Sequence, residues 1–398
     1  MQKKLIAAAV AGLIAVPALA QTNVTISGNF RAGWENYKLT DCTAGFSCRS
    51  ESRVSDQSSG LRFNVVEDLG GGLKAWGQLD YRGSVDLGGL ANSGNSGVGF
   101  MGDKWGKFTI GRWDVHYNEI TGALQATRAG SLQTLVGHGI ISQVNGVMIA
   151  NGTRTPNLLM WDSPNWNGFT ARLAYSTGFE GNEGSGRSAN GTGNPGGGKA
   201  WTGALRYNNG PWTAGASYWN SDGETRNIVP VFAMSTATGV IAGAVPTRND
   251  QTSTRAWLGY TFGMGLKVGI AWDRSKRSAN ALNVASTTMS RNAWMIPVTY
   301  TFGPHAIYGA YARTGSHSGS AVAAGTGGDY KATQWMFGYD YAFSKRTTAG
   351  VFYTKVNNNT LGGYDMFNGS GLAGLSGATH TAANEGSRQI YIGMNHNF

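Results

Sequence analysis

Charged residues are scarce in this chain, and long hydrophobic runs are almost absent. Aspartate, glutamate, lysine and arginine make up only 14% of the 398 residues, proline occurs 9 times and cysteine only 2 times. So few cysteines exclude a disulfide-rich scaffold. Beyond the N-terminus no apolar run reaches the roughly 20 residues that a membrane-spanning helix needs, which excludes a helical membrane protein.

Glycine and aromatic residues, by contrast, are abundant. The chain has 61 glycines, 13 tryptophans, 16 tyrosines and 15 phenylalanines, too many aromatics for a solvated, disordered chain. Its net charge of +10 comes from 32 basic and 22 acidic residues that are scattered along the sequence. No basic patch or tail stands out, so the pattern does not indicate a nucleic-acid partner.

The first twenty residues have the pattern of a secretory signal peptide. Two lysines precede an apolar stretch over 5–16, and a small-x-small cleavage site ends at Ala20. The alternative is a membrane anchor, but the stretch is too short to span a bilayer and Pro17 interrupts it. We therefore predict a signal peptide over 1–20 and a mature domain over 21–398, exported from the cytoplasm.

Alternation of apolar and polar residues is the dominant signal of the mature chain. In the segment 24–34, Val24, Ile26 and Phe30 share one face while Thr25 and Asn29 share the other, which is the pattern of a strand with one apolar side. Similar runs of about 9–13 residues recur to the C-terminus, longer than the usual 5–6 of soluble folds. About 9–11 tilted residues cross a bilayer.

The connections between these runs alternate in length. Short links rich in Gly, Pro, Asn and Asp alternate with long segments at roughly 39–59, 87–95, 114–153, 179–199, 222–251, 276–290, 315–330 and 357–385. Short turns on one rim and long loops on the other are typical of outer-membrane barrels, which must close because an open edge leaves backbone groups unpaired in lipid. We predict an all-β fold, a 16-stranded antiparallel transmembrane β-barrel. A soluble secreted all-β protein, for instance a carbohydrate-binding one, is the alternative.

Four stretches in order resemble the general diffusion porins of Gram-negative bacteria, in particular the β-proteobacterial branch. They are Glu67–Ala75, Gly106–Arg112, Arg154–Pro164 continued by Asn167–Thr170, and the C-terminal strand Ile390–Phe398. The resemblance covers essentially the whole mature chain. It implies that the third long loop, 114–153, folds into the lumen and narrows a water-filled pore for passive diffusion.

The resemblance also implies a ladder of basic residues on the lumen wall facing that loop. Arg112 and Arg154 match basic-wall positions by motif. Arg62, Lys74, Arg82 and Arg31 lie on the inward phase of their strands, where the alternative for each is a solvated lumen charge away from the constriction.

The third loop departs from the family pattern because it is poor in acids. Only Asp114 and Glu119 occur, both near its start, while Arg128 and His138 lie further along. We therefore expect a constriction with net positive charge and a preference for anions. The alternative is a substrate-specific outer-membrane channel for anionic solutes.

Several further expectations follow. Cys42 and Cys48, in the first long loop, should form a disulfide in an oxidising compartment, with a free thiol pair or a metal site as alternatives.

The resemblance implies a homotrimer surrounded by outer-membrane lipid and lipopolysaccharide. It also implies that Phe398 is read by the outer-membrane assembly machinery. No catalytic motif surrounds the six histidines, so we expect no enzyme, no cofactor and no metal site.

Overall fold

The computed structural model describes residues 23–42, 48, 50–150, 154–179, 198–223, 247–281, 284–367 and 383–398. The predicted signal peptide over 1–20 lies outside these residues. Among the described helices, none is long and apolar enough to cross a membrane.

Antiparallel strands dominate the described chain and form one closed sheet. Eighteen strand segments join this sheet. Two of them are halves of one interrupted strand, and Leu90–Ala91 is a short side pairing, which leaves the 16 barrel strands that the sequence predicts. In chain order these are β1 (Asn23–Thr40), β2 (Ser50–Asp56 with Gly60–Gly70), β3 (Leu73–Gly83), β4 (Ser96–Gly102), β5 (Gly106–Trp113), β6 (Thr155–Asp162), β7 (Phe169–Ser176), β8 (Lys199–Asn209), β9 (Trp212–Asp222), β10 (Thr247–Thr261), β11 (Leu266–Ala281), β12 (Val284–Phe302), β13 (His305–Thr314), β14 (Ala332–Ala342), β15 (Thr347–Asn358) and β16 (Gly386–Asn397).

The two ends of the chain close the barrel. Strand β1 pairs with β16 in a continuous antiparallel register from Asn29 opposite Asn397 to Thr40 opposite Gly386. The amide N–H of Phe398 donates to the carbonyl of Gly28 at 3.1 Å, and the amide of Gly28 donates back at 3.1 Å. The sheet therefore has no free edge in the lipid layer.

Side chains on the strands segregate into a lipid face and a lumen face. Val24, Ile26 and Phe30 of β1 are exposed on the outside, whereas Glu35 and Tyr37 point inward and are buried under the loops. Near the short turns, a Tyr-x-Phe sequence recurs three times and places aromatic rings in contact, at Tyr260–Phe262, Tyr300–Phe302 and Tyr341–Phe343. These pairs form part of an aromatic girdle at one membrane interface.

The barrel wall is uneven in height. Strands β5, β6 and β7 have 8 residues each, whereas β10, β11 and β12 have 15, 16 and 19. At about 3.3 Å per residue and a tilt near 40°, the low wall is about 20 Å tall and β12 is about 48 Å long along the barrel axis. The low wall is thus shorter than the roughly 25 Å apolar band of such barrels.

The bounds of the strands correct two predictions. The segment 276–290 was expected to be a loop, but β11 runs to Ala281 and β12 starts at Val284. Likewise Ser50–Asp56, expected within the first loop, is a strand that pairs with β1. Both segments extend above the apolar band, where the two faces of a strand are equally polar and the alternation that marks a strand in sequence disappears.

The third loop folds into the lumen, as the sequence predicts. It contains a short helix α1 (Glu119–Leu124) and three 3-10 turns at His116–Asn118, Leu132–Thr134 and Ile140–Ser142. Ile120, Ile140 and Ile141 are completely buried. The elements of the loop pack on the walls from β8 to β15, so the open lumen lies between this loop and the strands β1 to β6.

A second loop also enters the barrel, which the sequence did not predict. Between β15 and β16, Tyr364, Asp365, Met366 and Phe367 are buried. The Tyr37 hydroxyl donates to the Asp365 carboxylate at 2.9 Å. This inward segment, 364–367, braces the third loop against β1.

The first loop has the predicted disulfide. Cys42 and Cys48 are bonded, with their Cα atoms 5.4 Å apart. Of the alternatives left open by the sequence, the free thiol pair and the metal site are therefore excluded. The described residues contain no cluster of His, Cys, Asp and Glu that could hold a metal ion.

Candidate functional site: the pore constriction

Three arginines from the first three strands meet on one lumen wall. Arg62 on β2 lies directly opposite Asp80 of β3, and Arg82 follows two residues later on the same face. Arg31 on β1 lies within electrostatic range of Arg82. Because side chains on a strand alternate and the strands are adjacent, the inward phase alone brings these three guanidinium groups together.

Asp80 holds this group in place. Its carboxylate is fully buried and accepts from Arg82 Nη2 at 2.6 Å, with Arg62 Nε 3.5 Å away. One carboxylate therefore serves two guanidinium groups, and the Nε atoms of Arg31 and Arg82 have no hydrogen-bond partner among the described residues. Asp80 is not among the predicted site residues, although the alternation along β3 gives it the inward phase.

Arg154 joins the same wall from the end of the third loop. Its Nε lies 3.5 Å from Asp114 Oδ1, and it is within electrostatic range of Arg82. Asp114 also accepts from the Tyr117 hydroxyl at 2.7 Å and from the Asn95 amide at 2.9 Å. Asp114 is thus engaged on every side and belongs to the framework of the arginine wall.

Two predicted wall residues lie elsewhere. Lys74 is near the turn end of β3, opposite Asp68, about 27 Å along the strand from Arg82 at 3.3–3.4 Å per residue. On β5 the buried Thr109 faces inward and the exposed Ile110 faces outward, so Arg112 has the outward phase. Its side chain lines a groove on the outer wall while remaining within electrostatic range of Arg154 and Asp114 across the rim.

The second acid of the third loop is also neutralised. Glu119 Oε2 accepts from Arg206 Nε on β8 at 2.6 Å, a second Arg206 nitrogen bonds Oε1, and Arg172 of β7 is 3.9 Å away. Arg128, the basic residue of the loop, donates from Nε to Asp340 on β14 at 2.7 Å. The charges of the third loop are therefore directed into ion pairs with the barrel wall.

His138 lies inside the third loop. Its Nε2 is 2.9 Å from the Asn118 side-chain oxygen, and its ring packs on Phe367 at 4.9 Å. Burial lowers the pKa of His138 to about 3, so the ring is neutral at physiological pH. Burial likewise lowers the pKa of His116, whose two ring nitrogens contact Ser217 and Ser253 at 2.8 Å each.

A buried charge triad anchors the third loop to the opposite wall. Arg255 on β10 and Arg291 on β12 both bond the carboxylate of Asp273 on β11, and all three side chains are fully buried. Arg255 also donates to the carbonyl of Tyr117 at 2.7 Å, and Arg291 donates to the carbonyl of Ile141 at 2.6 Å. The triad thus satisfies loop carbonyls that would otherwise be buried without donors.

This anchor triad carries no motif that identifies it in the sequence. Arg255, Asp273 and Arg291 lie on the inward phase of three consecutive strands, where polar side chains are expected simply because they line water. Only the packing of the loop over them shows that they are enclosed. The signal available in the sequence was two arginines and one aspartate in adjacent strands at matching positions.

Trp76 contributes to the lower part of the arginine wall. It points inward, as its phase predicts, but it is buried: its ring packs edge-on against Trp113 at 5.7 Å, and Lys107 Nζ lies 3.4 Å from its centroid. The indole N–H donates to the Phe108 carbonyl at 3.0 Å. The Lys107 ammonium group covers the face of the Trp76 ring, so a solute passing through the pore cannot stack on that face.

Comparison with known proteins gives a consistent result. A family model described as "Gram-negative porin" matches residues 7–361. The chain is 25% identical over 381 residues to an outer membrane porin protein of Bordetella pertussis, covering 90% of this chain and 95% of that one. It is 27% identical over 416 residues to the major outer membrane protein P.IA of Neisseria meningitidis, covering 94% and 98%.

Solved structures share the fold. An anion-selective porin from Comamonas acidovorans superposes with a TM-score of 0.65 at 21% identity, covering 95% of this chain and 100% of that one. The trimer form of OmpT from Vibrio cholerae gives a TM-score of 0.63 at 15% identity, covering 95% and 99%. The barrel, its inward third loop and these relatives place the protein in the outer membrane of a Gram-negative bacterium. The chain belongs to the Gram-negative porin family.

Proposed function

We propose that this porin forms a water-filled channel through which small hydrophilic solutes and ions diffuse passively, with a preference for anions. The observation that carries the proposal is the gathering of Arg31, Arg62, Arg82 and Arg154 on one lumen wall. Among the described residues, the carboxylates near these four guanidinium groups are Asp80, Asp114 and, for Arg31, Asp56. The wall therefore carries an excess of positive charge.

The opposite side of the lumen does not balance this excess. Glu119 is paired with Arg206, and Arg128 is paired with Asp340. The anchor triad behind the loop has two arginines for one aspartate. A narrow pore with low-dielectric walls focuses such a field, so anions enter more readily than cations.

The test is the reversal potential of single channels in a planar bilayer with a potassium chloride gradient. Wild-type protein should give the sign of anion selectivity, and Arg82→Gln with Arg154→Gln should reduce the chloride-to-potassium permeability ratio by about twofold or more. The matched control removes two charges at the turn rim, Lys74→Gln with Lys104→Gln. An unchanged ratio in the arginine variant, or an equal loss in both variants, would contradict the proposal.

A substrate-specific channel for anionic solutes is the second candidate. It is favoured by Arg62 and Arg82, which share the single carboxylate of Asp80 and so leave a positive charge that could bind a carboxylate or phosphate. The general pore and the specific channel are distinguished by measuring the current that a candidate anion carries as its concentration is raised. A linear increase supports the general pore, and saturation in the millimolar range that disappears in Arg82→Gln supports a binding site.

We also propose that the protein is a homotrimer that assembles through its low wall. The outward side chains of β2 to β6 surround a groove of about 810 Å³ that is lined by Phe63, Val65, Leu79, Val98, Ile110 and Leu159. A wall shorter than the lipid layer is better covered by another protein surface than by acyl chains. In a closed ring of identical contacts, the low wall of every copy is covered by neighbouring copies.

Phe398 and the N-terminal segment belong to the export of the protein. We propose that residues 1–20 are removed as a signal peptide and that the assembly machinery of the outer membrane reads the C-terminal strand. The exposed face of β16, with Ile390, Ile392, Met394 and Phe398, supports such reading. Phe398→Ser should lower the yield of folded protein in the membrane, as measured by heat-modifiable mobility in gels.

A further inference from the structure

A bulge interrupts strand β2 at residues 57–59, next to the arginine wall. Asn29 of β1 pairs with Gly60, and Ala32 of β1 pairs with Asp56. Two residues of β1 therefore face three residues of β2, and this excess of one residue defines a β-bulge. Such bulges re-aim side chains, so we asked which side chains this one directs into the lumen.

The extra residue reverses the alternation of β2. Before the bulge, Arg53 faces the lumen and bonds the buried Glu35 at 2.6 Å, and Gln57 is buried in the same phase. After the bulge, Arg62 faces the lumen beside Asp80. Each half is regular by itself, with odd-numbered residues inward in the first and even-numbered residues inward in the second. In an uninterrupted strand, Gln57 and Arg62 could not both face the lumen.

Polar groups of the bulge hold its shape. The Asp56 carboxylate accepts from the amides of Ser58 and Ser59 at 2.8 and 3.0 Å. The Ser59 hydroxyl accepts from the amide of Arg31 at 2.9 Å and donates to the carbonyl of Arg31 at 3.2 Å. These bonds keep Ser58 at a φ of 69°, a left-handed conformation that few residues other than glycine adopt.

One end of the bulge contacts the arginine wall. Arg82 Nη1 donates to the Ser58 carbonyl at 3.1 Å and to the Ser58 hydroxyl at 2.9 Å. The other terminal nitrogen of Arg82 donates to Asp80 at 2.6 Å. The bulge and Asp80 therefore fix the Arg82 guanidinium from two directions.

The other end of the bulge contacts the third loop. The Leu132 amide donates to Gln57 Oε1 at 2.8 Å, and Gln57 Nε2 donates to the Ser55 hydroxyl at 2.9 Å. The preceding loop residue, Ser131, donates to Gln389 Oε1 on β16 at 2.7 Å. This part of the third loop thus crosses to β2 and β16 and is held there by two neutral hydrogen bonds.

This crossing forms one edge of the open lumen. Among its neighbours on β1 and β16, Glu35, Tyr37 and Gln389 are at most 2% exposed. On the other side of the crossing, the side chains of Arg62 and Arg82 keep 33% and 17% of their exposure. Water therefore reaches the arginine side of the crossing, and the position of Gln57 decides how far the lumen extends toward β1.

We propose that Gln57 and Ser58 are positioning residues that set the width and the charge of the constriction together. Gln57 fixes where the third loop meets the wall, and Ser58 fixes where the Arg82 guanidinium stands. Both sides of the pore are thereby referred to one short piece of backbone. Neither residue is charged, so a change in ion selectivity on substitution arises through position. The inference rests on the proposed channel and names residues that shape its constriction.

Single-channel recording in a potassium chloride gradient tests the Gln57 contact. Gln57→Leu removes the acceptor of the Leu132 amide at nearly constant volume. We expect open-channel noise to rise about twofold or more and the chloride-to-potassium permeability ratio to fall about 1.5-fold or more, because the released loop widens the gap that the arginines face. Gln57→Glu is the conservative variant and should restore most of the low noise, since its carboxylate still accepts from Leu132.

The matched control is a buried glutamine on the opposite wall. Gln334 on β14 also accepts from an amide of the third loop, that of Ile140 at 3.3 Å, and it donates to the carbonyl of Gln133 at 3.2 Å. Gln334→Leu therefore removes a similar contact with the same loop away from the arginine wall. It should leave the permeability ratio unchanged.

Substitutions of Ser58 test the bulge itself. A β-branched residue rarely adopts a positive φ, so Ser58→Val disfavours the bulge and displaces the acceptors of Arg82. We expect the permeability ratio to fall about 1.5-fold or more and the noise to rise with it. Ser58→Gly is the conservative variant, because glycine adopts this φ freely and its carbonyl can still accept from Arg82. It should keep the greater part of the wild-type ratio.

The inference is overturned if folded Gln57→Leu and Ser58→Val show the noise and the ratio of wild type. It is also overturned if Gln334→Leu lowers the ratio as much as Gln57→Leu, which would assign the effect to the loop as a whole. Heat-modifiable mobility in gels reports folding, and if one of the two variants fails to fold, the other decides. Wild type without anion preference contradicts the proposed selectivity alone, since the noise still tests the bulge. Wild type without channels overturns both.

Discussion

Individual residues of this porin have roles that depend on whether water reaches them. Asp80 and Asp273 are both inward aspartates that hold two arginines. The arginines of Asp80 line the lumen, where the surplus charge can act on a passing ion. The arginines of Asp273 are enclosed by the third loop, where their charge fixes that loop.

The buried aspartate should be much more sensitive to substitution than an exposed one. Asp273→Asn leaves Arg255 and Arg291 enclosed without a counter-charge, and we expect the free energy of unfolding to fall by about 3–5 kcal/mol. The single-channel record should become noisier because the third loop loses its anchor. Asp103→Asn, in an exposed turn, is the control and should leave both the denaturation midpoint and the open-channel noise unchanged.

Two buried histidines make stability depend on pH. Burial lowers the pKa of both His138 and His317 to about 3. Above pH 6.5 both are neutral whether the chain is folded or unfolded, so they contribute no pH dependence there. As the pH falls below 6.5, the unfolded chain binds protons that the folded chain does not, and stability falls until about pH 3.

We therefore expect each histidine to reduce the free energy of unfolding by about 2 kcal/mol between pH 7.5 and pH 5, at 1.36 kcal/mol per unit below 6.5. Chemical denaturation at the two pH values measures this. His138→Gln and His317→Gln should each remove its own share of the difference, and the double variant both shares. Burial also lowers the pKa of His116, so part of the pH difference should remain in the double variant. A pH difference as large in the double variant as in wild type would show that groups other than His138 and His317 cause it.

Whole elements are held in place by contacts of different strength. The third loop is anchored by ion pairs and by isoleucines, and the ring of Phe367 in the inward segment 364–367 packs on its His138 at 4.9 Å. The Tyr364 hydroxyl ties the same segment to the loop after β13, where it lies 2.7 Å from His317 Nε2. The first loop is constrained by its disulfide. The described parts of these loops therefore belong to the folded body of the barrel.

Removing the disulfide should weaken the protein without closing or opening the pore. A cross-link over a sequence separation of 6 stabilises by about 2 kcal/mol in the chain-entropy account. The variant Cys42→Ser with Cys48→Ser should lose this amount in denaturation and keep the conductance of wild type. A changed conductance would mean that the first loop reaches the constriction.

Sequence patterns predict elements well only where one face of a strand meets lipid. The strands, their number and the inward third loop follow from the alternation, the turn residues and the resemblance to porins. The ends of β11 and β12 do not, because above the membrane both faces are polar. The inward segment 364–367 has no period at all, and its burial depends on residues as distant as Tyr37 and Gln143.

The candidate site is predictable to a similar degree. Arg31, Arg62 and Arg82 follow from phase alone because their strands are regular. Arg112 takes the outward phase of β5, although the family motif suggested a lumen position. A motif gives the order of residues along the chain, whereas the strand register decides which face of the sheet each side chain points to. The pairing of Glu119 with Arg206 requires the fold of the third loop and leaves no trace in local sequence.

At the scale of the whole molecule, the low wall and the tall wall should respond differently to the same substitution. Ile110 on β5 and Ile270 on β11 are outward isoleucines with exposures of 50% and 52%. Ile110→Arg should lower the fraction of trimer in detergent, because it places a charge in the proposed subunit contact. Ile270→Arg should keep the trimer and reduce stability by about 2–4 kcal/mol, since it places a charge in lipid.

Analytical ultracentrifugation and denaturation measure the two effects. Equal loss of trimer in both variants would show that charge on any outer face disrupts assembly. A stable trimer in Ile110→Arg would show that the low wall meets lipid instead of another subunit.

The difference in wall height also shapes the approach to the channel. Strands β10 to β12 project beyond the membrane as a hydrogen-bonded wall on one side of the entrance, whereas the described strands β5 to β7 end much lower. In the proposed trimer the low walls face the threefold axis, so the three pore entrances would lie next to one another. The tall strands would then stand between these entrances and the surroundings of the trimer, and a solute near the axis could enter any of the three pores.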